Sequence, residues 1–299
     1  MKVLVIGSKG FIGSHLCDFF QSLPGYEVFE SDVMVDYEKT NYFLVDATNS
    51  DFQKVFRDYQ FDACINCSGA ASVPDSLKNP MRDFTLNTLN VYKILDAIRA
   101  NQPICKFINF SSAAVYGNPL SLPIQEQLAL APISPYGIHK MQAEEICKIF
   151  HTYYQIPTCS LRVFSAYGPG LKKQLFWDIC KKAGQTDEIE MFGTGEESRD
   201  FIYIDDLVAA VQCCLSDAKF QGEAINIANG EEIKISHAVE MLLHFFPDKK
   251  KAKFNGLIKT GDPVNWRADI TLLRSMGYNK STTLEHGLKN YYQWISQQH

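Results

Sequence analysis

The chain opens with a short apolar run, residues 3–6 (VLVI), that stops at Gly7. A run this brief and this rich in β-branched side chains predicts a buried parallel strand. Beyond it, Phe11, Ile12, Leu16, Phe19, Phe20 and Leu23 recur at helical spacing and predict an amphipathic helix. The alternation continues, with strands predicted over 26–29, 43–45, 63–66 and 104–110 and helices over 52–59 and 84–98. Strand and helix taking turns over roughly 160 residues predict an α/β fold, a doubly wound parallel sheet of the Rossmann kind. After residue 165 the pattern loosens. A strand over 201–204 and a helix over 206–215 read as a return to the sheet. The expected organisation is a dinucleotide-binding domain over 1–165 with 201–225 returning to it, and a smaller substrate-binding lobe built from 166–200 and 226–299.

The break after the first strand carries the first chemical signal. Gly7-x-x-Gly10-x-x-Gly13 links strand to helix, so backbone N–H groups without flanking Cβ atoms can approach a pyrophosphate while the helix dipole favours its charge. Phe11 and Ile12, at the helix start, join the glycines as expected cofactor contacts. About 20 residues on, the second strand ends in Glu30-Ser31-Asp32, where a carboxylate can bond an adenosine ribose and repel a 2′-phosphate. Asp32 is the choice, with Glu30 and Asp36 as rivals, and an acid there favours NAD over NADP. The fourth strand opens onto Cys67-Ser68-Gly69-Ala70-Ala71, small residues that let a flat ligand lie against backbone.

Composition narrows the picture a little. A net charge of -5 and a pI near 5.8 argue against nucleic acid as a partner. Neither a signal peptide nor an apolar stretch long enough to span a membrane is read in the sequence, so a cytoplasmic protein is expected. Nine cysteines lie scattered along the chain; Cys64 and Cys67 have redox spacing but fall at a predicted strand, where core packing is the better reading, and no metal site is expected.

A second signal lies at Ser134-Pro135-Tyr136, which starts a helix with Ser134 as N-cap and Pro135 at the tolerated first position. Tyr136 and Lys140 are four apart and share a face. An ammonium beside a phenol is expected to lower the phenol's pKa from about 10, so that it can take and return a proton. A hydroxyl at the end of the fifth strand, Ser111 or Ser112, could share the bond to a substrate alcohol or carbonyl.

Five segments, GSKGFIG, NFSSAAVYG, SPYGIHK, LRVFSAYGPG and RDFIYIDDL, occur in this order. In this the chain resembles the extended short-chain dehydrogenase/reductases, in particular the NAD-dependent epimerase/dehydratase family and its nucleotide-sugar 4-epimerases of the UDP-glucose 4-epimerase type. The resemblance implies that Gly7, Gly10 and Gly13 hold the pyrophosphate, Asp32 the adenosine ribose, and Asp46 and Ala47 the adenine. It further implies that Cys67, Ser68, Gly69 and Asn87 line the cofactor. Ser112, Tyr136 and Lys140 would be catalytic, with Lys140 also on the nicotinamide ribose, and Arg199 would meet the sugar diphosphate. A homodimer through the long helices beginning near Asp83 and Ser134 is implied as well.

Departures from the pattern narrow the reaction. Family dehydratases carry an Asp-Glu pair where this chain has Ala113 and Ala114, and alanine transfers no proton. Ser165 stands where asparagine is common, Lys259 where sugar epimerases tend to have arginine, and Trp266 where they line the sugar pocket. The expectation is NAD-dependent epimerisation of a nucleotide-diphosphate sugar at C4 through a 4-keto intermediate. The alternatives are an NAD(P)H-dependent 4-ketoreductase of a 4-keto-6-deoxy sugar nucleotide and a non-catalytic nucleotide-binding protein.

Overall fold

The computed structural model describes residues 1–47, 49–257, 261 and 263–298. Its framework begins with six parallel strands, β1 (Lys2–Ile6), β2 (Glu27–Asp32), β3 (Tyr42–Leu44), β4 (Ala63–Asn66), β5 (Lys106–Ser112) and β6 (Thr158–Val163). Short strands β7 (Ser165–Tyr167), β8 (Glu188–Met191), β9 (Ser198–Arg199) and β10 (Phe201–Tyr203) follow before β11 (Gln221–Ile227). This last strand completes a seven-stranded sheet of order β11-β6-β5-β4-β1-β2-β3. Val3 and Val5 feed one apolar cluster and Leu4 and Ile6 the other, so both faces of β1 are covered. That is why the strand reads as an unbroken apolar run rather than an alternation.

The strand order places a switch point between β1 and β4. From β1 the chain winds one way to β2 and β3, then crosses back to β4 and winds the other way, leaving a crevice where the carboxyl ends of β1 and β4 diverge. Helices α1 (Phe11–Ser22), α2 (Gln53–Asp58), α3 (Val73–Lys78), α4 (Pro80–Phe84), α5 (Asn90–Asn101) and α6 (Pro135–Tyr154) belong to this half. Further on come α7 (Gln174–Ala183), α8 (Ile204–Asp217), which packs on α1, and α9 (Ile235–Leu243). The remaining elements are β12 (Ile233–Lys234), β13 (Lys251–Phe254), α10 (Thr271–Ser275) and α11 (Leu284–Ser296).

Two expectations change. The strand near 201 does not return to the main sheet: β10 pairs with β7, and it is β11, beginning at Gln221, that lies beside β6. The apolar run of β10 gave no sign of which sheet would take it. The helix expected over 84–98 is longer, running from α4 through a π-helical turn at Thr85–Leu89 into α5. Pro80 is tolerated because it sits in the first turn.

A buried polar network, unforeseen in the sequence, clamps α6 to the sheet. Glu144 of α6 pairs with Arg162 of β6 at 2.7 Å, both side chains under 5% exposed. The same carboxylate accepts the Ser111 hydroxyl, and Arg162 donates to the Tyr116 hydroxyl and the Glu126 carbonyl, each at 2.8 Å. Tyr116 donates onward to Asn226 of β11 at 2.7 Å, and Asn226 in turn donates to the Ile124 and Asp269 carbonyls. Removing one partner strands a buried charge. Glu144→Ala is therefore expected to cost about 3–5 kcal/mol in urea-melt stability, far beyond a surface carboxylate deletion.

Candidate active site

The glycine turn closes on itself so tightly that only glycine fits. A Cβ on Gly13 would lie 2.1 Å from the Gly7 carbonyl oxygen, and one on Gly7, at φ +81°, would lie 2.7 Å from the Ser68 nitrogen. The turn from β1 thus rests directly on the Cys67-Ser68-Gly69 segment that follows β4. Helix α1 starts at this point with no side-chain cap and no acid in its first turn, unlike α6, whose first turn is capped by Ser134. Its opening N–H groups, among them those of Phe11 and Ile12, are left to an anion.

Of the three acids considered for the ribose, Asp32 borders the turn. Its Oδ2 accepts the Lys9 N–H at 2.9 Å and its Oδ1 that of Val33 at 2.8 Å. Glu30 is buried and paired with Lys39, and Asp36 pairs with the Lys9 side chain. Asp46 and Ala47 follow β3, beyond Asp32.

Across the crevice stands Asn87, in the π-helical turn. Its side-chain amide is buried, and neither its oxygen nor its nitrogen finds a partner among the described residues. Gly69, at φ +130°, opens beside it: a Cβ there would sit 2.5 Å from Asn87 Oδ1 and 3.4 Å from Lys140 Nζ. An orphaned amide, a glycine cradle and an uncapped helix start fit a dinucleotide laid across the switch point.

Ser112, Tyr136 and Lys140 come together at the ends of β5 and α6. The two serines take different roles: Ser111 is turned to Glu144, whereas Ser112 caps the following turn by accepting the Ala114 N–H at 3.2 Å and lies close enough to Tyr136 to lower its pKa. Gly137 lets α6 approach, since a Cβ there would meet the Ala114 carbonyl oxygen at 2.6 Å. Lys140 is 6% exposed; its Nζ donates to the Phe110 carbonyl at 2.8 Å and lies 6.0 Å from the centre of the Tyr136 ring.

The expectation that Lys140 lowers the tyrosine pKa is not met in the polypeptide alone. Burial pushes the Tyr136 phenol up to about 12; hydrogen bonding from Ser112 pulls it down, and the charge of Asp83 pushes it up. Burial likewise pulls the Lys140 ammonium down to about 8, against the raising influence of Asp83, Cys67 and Glu144. For both groups desolvation is the largest influence.

In the lobe, Arg199 does not pair with Asp200 as a surface arginine would. Its guanidinium stacks 5.5 Å from the Trp266 ring and donates to the Ser198 and Val264 carbonyls. Asp200 is instead fully buried and accepts the N–H groups of Asn229, Gly230 and Ala268. Trp266, expected at the sugar pocket, is only 8% exposed: its indole donates to the Gly117 carbonyl at 3.1 Å and its ring packs edge-on against Phe164. What it presents is a ring face beneath Arg199. Ser165 begins β7 and donates its N–H to the Asp200 carbonyl at 3.0 Å. Lys259 lies outside the described residues.

Sequence reasoning missed Ser76 of α3, whose hydroxyl accepts the Tyr136 N–H at 3.2 Å, and the buried pair of Asp83 with His139. Ser72 followed by Pro74 was a legible helix start for α3; nothing in the sequence alone joined residue 83 to residue 139.

The depressed Lys140 pKa sets a pH window. Between about 8 and the ordinary 10.5 the unfolded chain holds a proton that the folded one has released, so stability rises with pH there. Chemical denaturation across pH 7.5–10 is expected to show wild type gaining on Lys140→Met as pH rises, with the difference flat below pH 7.

A model of the NAD dependent epimerase/dehydratase family matches residues 3–228. The chain is 28% identical to an uncharacterised UDP-glucose epimerase of Bacillus subtilis, over 99% of its own length and 98% of the relative's. Among solved structures, the UDP-glucuronic acid 4-epimerase of Bacillus cereus, in complex with UDP-glucuronic acid and NAD, aligns over the whole of both chains at 29% identity and a TM-score of 0.90. The UDP-N-acetylglucosamine 4-epimerase of Methanobrevibacter ruminantium M1, in complex with UDP-N-acetylmuramic acid, aligns over 100% of this chain and 99% of that one, at 26% identity and a TM-score of 0.89. With three-quarters of its length matched by the family model and the glycine turn, Ser112, Tyr136 and Lys140 gathered at one crevice, the chain belongs to the NAD dependent epimerase/dehydratase family.

Proposed function

We propose that this enzyme epimerises a nucleotide-diphosphate sugar, in the first instance a UDP-hexose, at C4 with NAD as its resident cofactor. The observation that carries the reading is the joint placement of Ser112, Tyr136 and Lys140 beside the orphaned amide of Asn87, with alanines at 113 and 114. Gly7, Gly10, Phe11, Ile12 and Gly13 would hold the pyrophosphate, Asp32 the adenosine ribose, Asp46 and Ala47 the adenine, and Cys67 to Gly69 with Asn87 and Lys140 the nicotinamide side. When bound, NAD supplies the hydride acceptor and donor and is regenerated in each cycle.

The chain's own groups move the proton. The Tyr136 phenolate oxygen would take it from the sugar 4-hydroxyl and return it to the 4-keto oxygen as C4 is reduced on its opposite face, while the Ser112 hydroxyl bonds the same sugar oxygen. Lys140, fixed by the Phe110 carbonyl, supplies the nearby positive charge that stabilises the phenolate. Dehydration is not supported, because Ala113 and Ala114 offer no acid or base. The lobe built from 166–200 and the residues after β11 would hold the sugar nucleotide. There Arg199, stacked on Trp266, would meet the diphosphate, with Ser165 and Lys259 as further contacts.

A homodimer is the assembly proposed. Met81, Leu89 and Tyr92 on the α4–α5 rod, and Ile138, Ile149 and Tyr153 on the neighbouring α6, lie 38–74% exposed. Their spacing makes an apolar stripe on each of two packed helices. A two-fold pairing buries the same stripe from both copies. A cytoplasmic location is proposed too, supported by the absence of any membrane-length apolar helix among the described residues.

The test incubates purified enzyme with UDP-glucose, UDP-galactose and UDP-glucuronic acid separately, without added reductant. Interconversion at C4 without accumulating NADH is expected; stoichiometric NADH consumption on a 4-keto sugar nucleotide would point to a reductase instead. Tyr136→Phe is expected to lower kcat by on the order of 10²–10⁴-fold with the fold intact by circular dichroism. In light scattering, Leu89→Glu combined with Ile149→Glu is expected to convert a dimer to a monomer, and a wild-type monomer would end the dimer proposal.

A further inference from the structure

The N–H groups in the first turn of a helix have no partner within it, and a buried one must find an acceptor elsewhere. At the start of α6 this falls on Tyr136. Pro135 carries no N–H, and the Ser134 hydroxyl accepts that of Gly137 at 3.1 Å. Between them the N–H of Tyr136 donates to the hydroxyl of Ser76, 60 positions earlier in the chain and 0% exposed, at 3.2 Å. The role of that hydroxyl as acceptor is fixed. It donates its own proton to the Val73 carbonyl at 2.7 Å, which leaves its lone pairs for the Tyr136 N–H. Ser76 is in turn held by α3: its N–H donates to the Ser72 carbonyl at 3.0 Å, and the Ser72 hydroxyl caps the helix by accepting the Asp75 N–H at 3.2 Å. Since α3 follows directly on Cys67-Ser68-Gly69-Ala70-Ala71, the residue that bears the phenol is tied to the cofactor side of the crevice.

We infer that Ser76 is a positioning residue for the proton transfer: its hydroxyl fixes the Tyr136 backbone, and with it the place of the phenol relative to Ser112. The inference deepens the epimerase reading and rests on it. Other ties to α6 act further along the helix. The His139 carbonyl accepts the Thr88 hydroxyl at 2.9 Å, and Lys140 Nζ donates to the Phe110 carbonyl at 2.8 Å. Neither bond holds the first turn, where Tyr136 follows the proline. Replacing Ser76 by alanine leaves a buried N–H without its acceptor, which the turn relieves by shifting toward water or another oxygen. Such a shift carries the phenol with it, and a displacement of about 1 Å at a reacting group costs on the order of 10²-fold in rate.

The experiment compares three variants of the purified enzyme carrying NAD. Ser76→Ala removes the acceptor and Ser76→Thr keeps it. Asp75→Ala weakens the same helix from its outer side, by deleting the bonds to Asn79 and Arg82, without touching Tyr136. With UDP-glucose or UDP-galactose as substrate, Ser76→Ala is expected to lower kcat by about 10–100-fold while KM stays within about twofold. Ser76→Thr is expected to recover most of the loss, and Asp75→Ala to keep the wild-type kcat. Without substrate, NMR of protein carrying isotope-labelled tyrosine, assigned through the Tyr136→Phe spectrum, is expected to show the Tyr136 ring resonance moved in Ser76→Ala and in place in Asp75→Ala. A wild-type kcat in Ser76→Ala overturns the inference, as does an equal fall in Asp75→Ala, a loss confined to KM, or a folded threonine variant as slow as the alanine one. Should the threonine methyl prevent folding at this buried site, the two alanine variants decide alone. A wild-type enzyme inactive on every sugar nucleotide would fail the epimerase reading instead, and the resonance comparison would still test the hold of Ser76 on Tyr136.

Discussion

Lys140 cannot be buried at the edge of a cofactor crevice unless the fold supplies what water would have given it, and much of the architecture answers that need. Its ammonium donates to the Phe110 carbonyl near the carboxyl end of β5, which ties the start of α6 to the sheet. For α6 to come that close, residue 137 must lack a side chain, because the Ala114 carbonyl occupies the space. Once docked, the helix delivers Tyr136 to Ser112 and leaves Lys140 facing Asn87 and Gly69. This hydrogen bond to a backbone oxygen, together with the Ser111–Glu144 bond further along α6, ties the two elements that carry the proposed chemistry to each other.

The rest of the site is set by a second close approach. Gly7 and Gly13 bring the turn after β1 within contact of itself and of the segment after β4. The crevice between these strands is a consequence of strand order, since the chain runs from β1 to β2 and β3 on one side and then crosses to β4 on the other. Electrostatically the site is poised by burial more than by pairing. Desolvation raises Tyr136 to about 12, far above neutral pH, and lowers Lys140 to about 8. A positive charge brought in by a ligand acts on the phenol in the needed direction.

Away from the crevice, Glu144 and Arg162 show how α6 is held along its length. A buried ion pair is costly unless its remaining lone pairs and protons are used, and here Ser111, Tyr116 and the Glu126 carbonyl use them. Through Tyr116 and Asn226 the same network reaches the Ile124 and Asp269 carbonyls, so α6, the edge strand β11 and the segment before α10 share one polar core. Asp200 does a similar job inside the lobe by accepting three backbone N–H groups.

By itself the sequence determined what local pattern determines. The apolar run over 3–6, the glycine triplet and the helix after it could hardly be read otherwise, because strand periodicity, turn chemistry and helical spacing are all short-range. The pairing of Tyr136 with Lys140 was legible for the same reason, as one helical turn. What only the tertiary structure decided are contacts between residues far apart in the chain. Ser112 was separated from Ser111 by the direction each faces, and Arg199 was assigned to Trp266 rather than to Asp200. The seventh strand at Gln221–Ile227 and the placing of β10 outside the main sheet likewise depended on which edge was free when the chain returned. The Tyr136 pKa went opposite to the local expectation for this reason too: a neighbour four residues away is visible in the sequence, whereas the depth at which both groups are buried is a property of the whole fold.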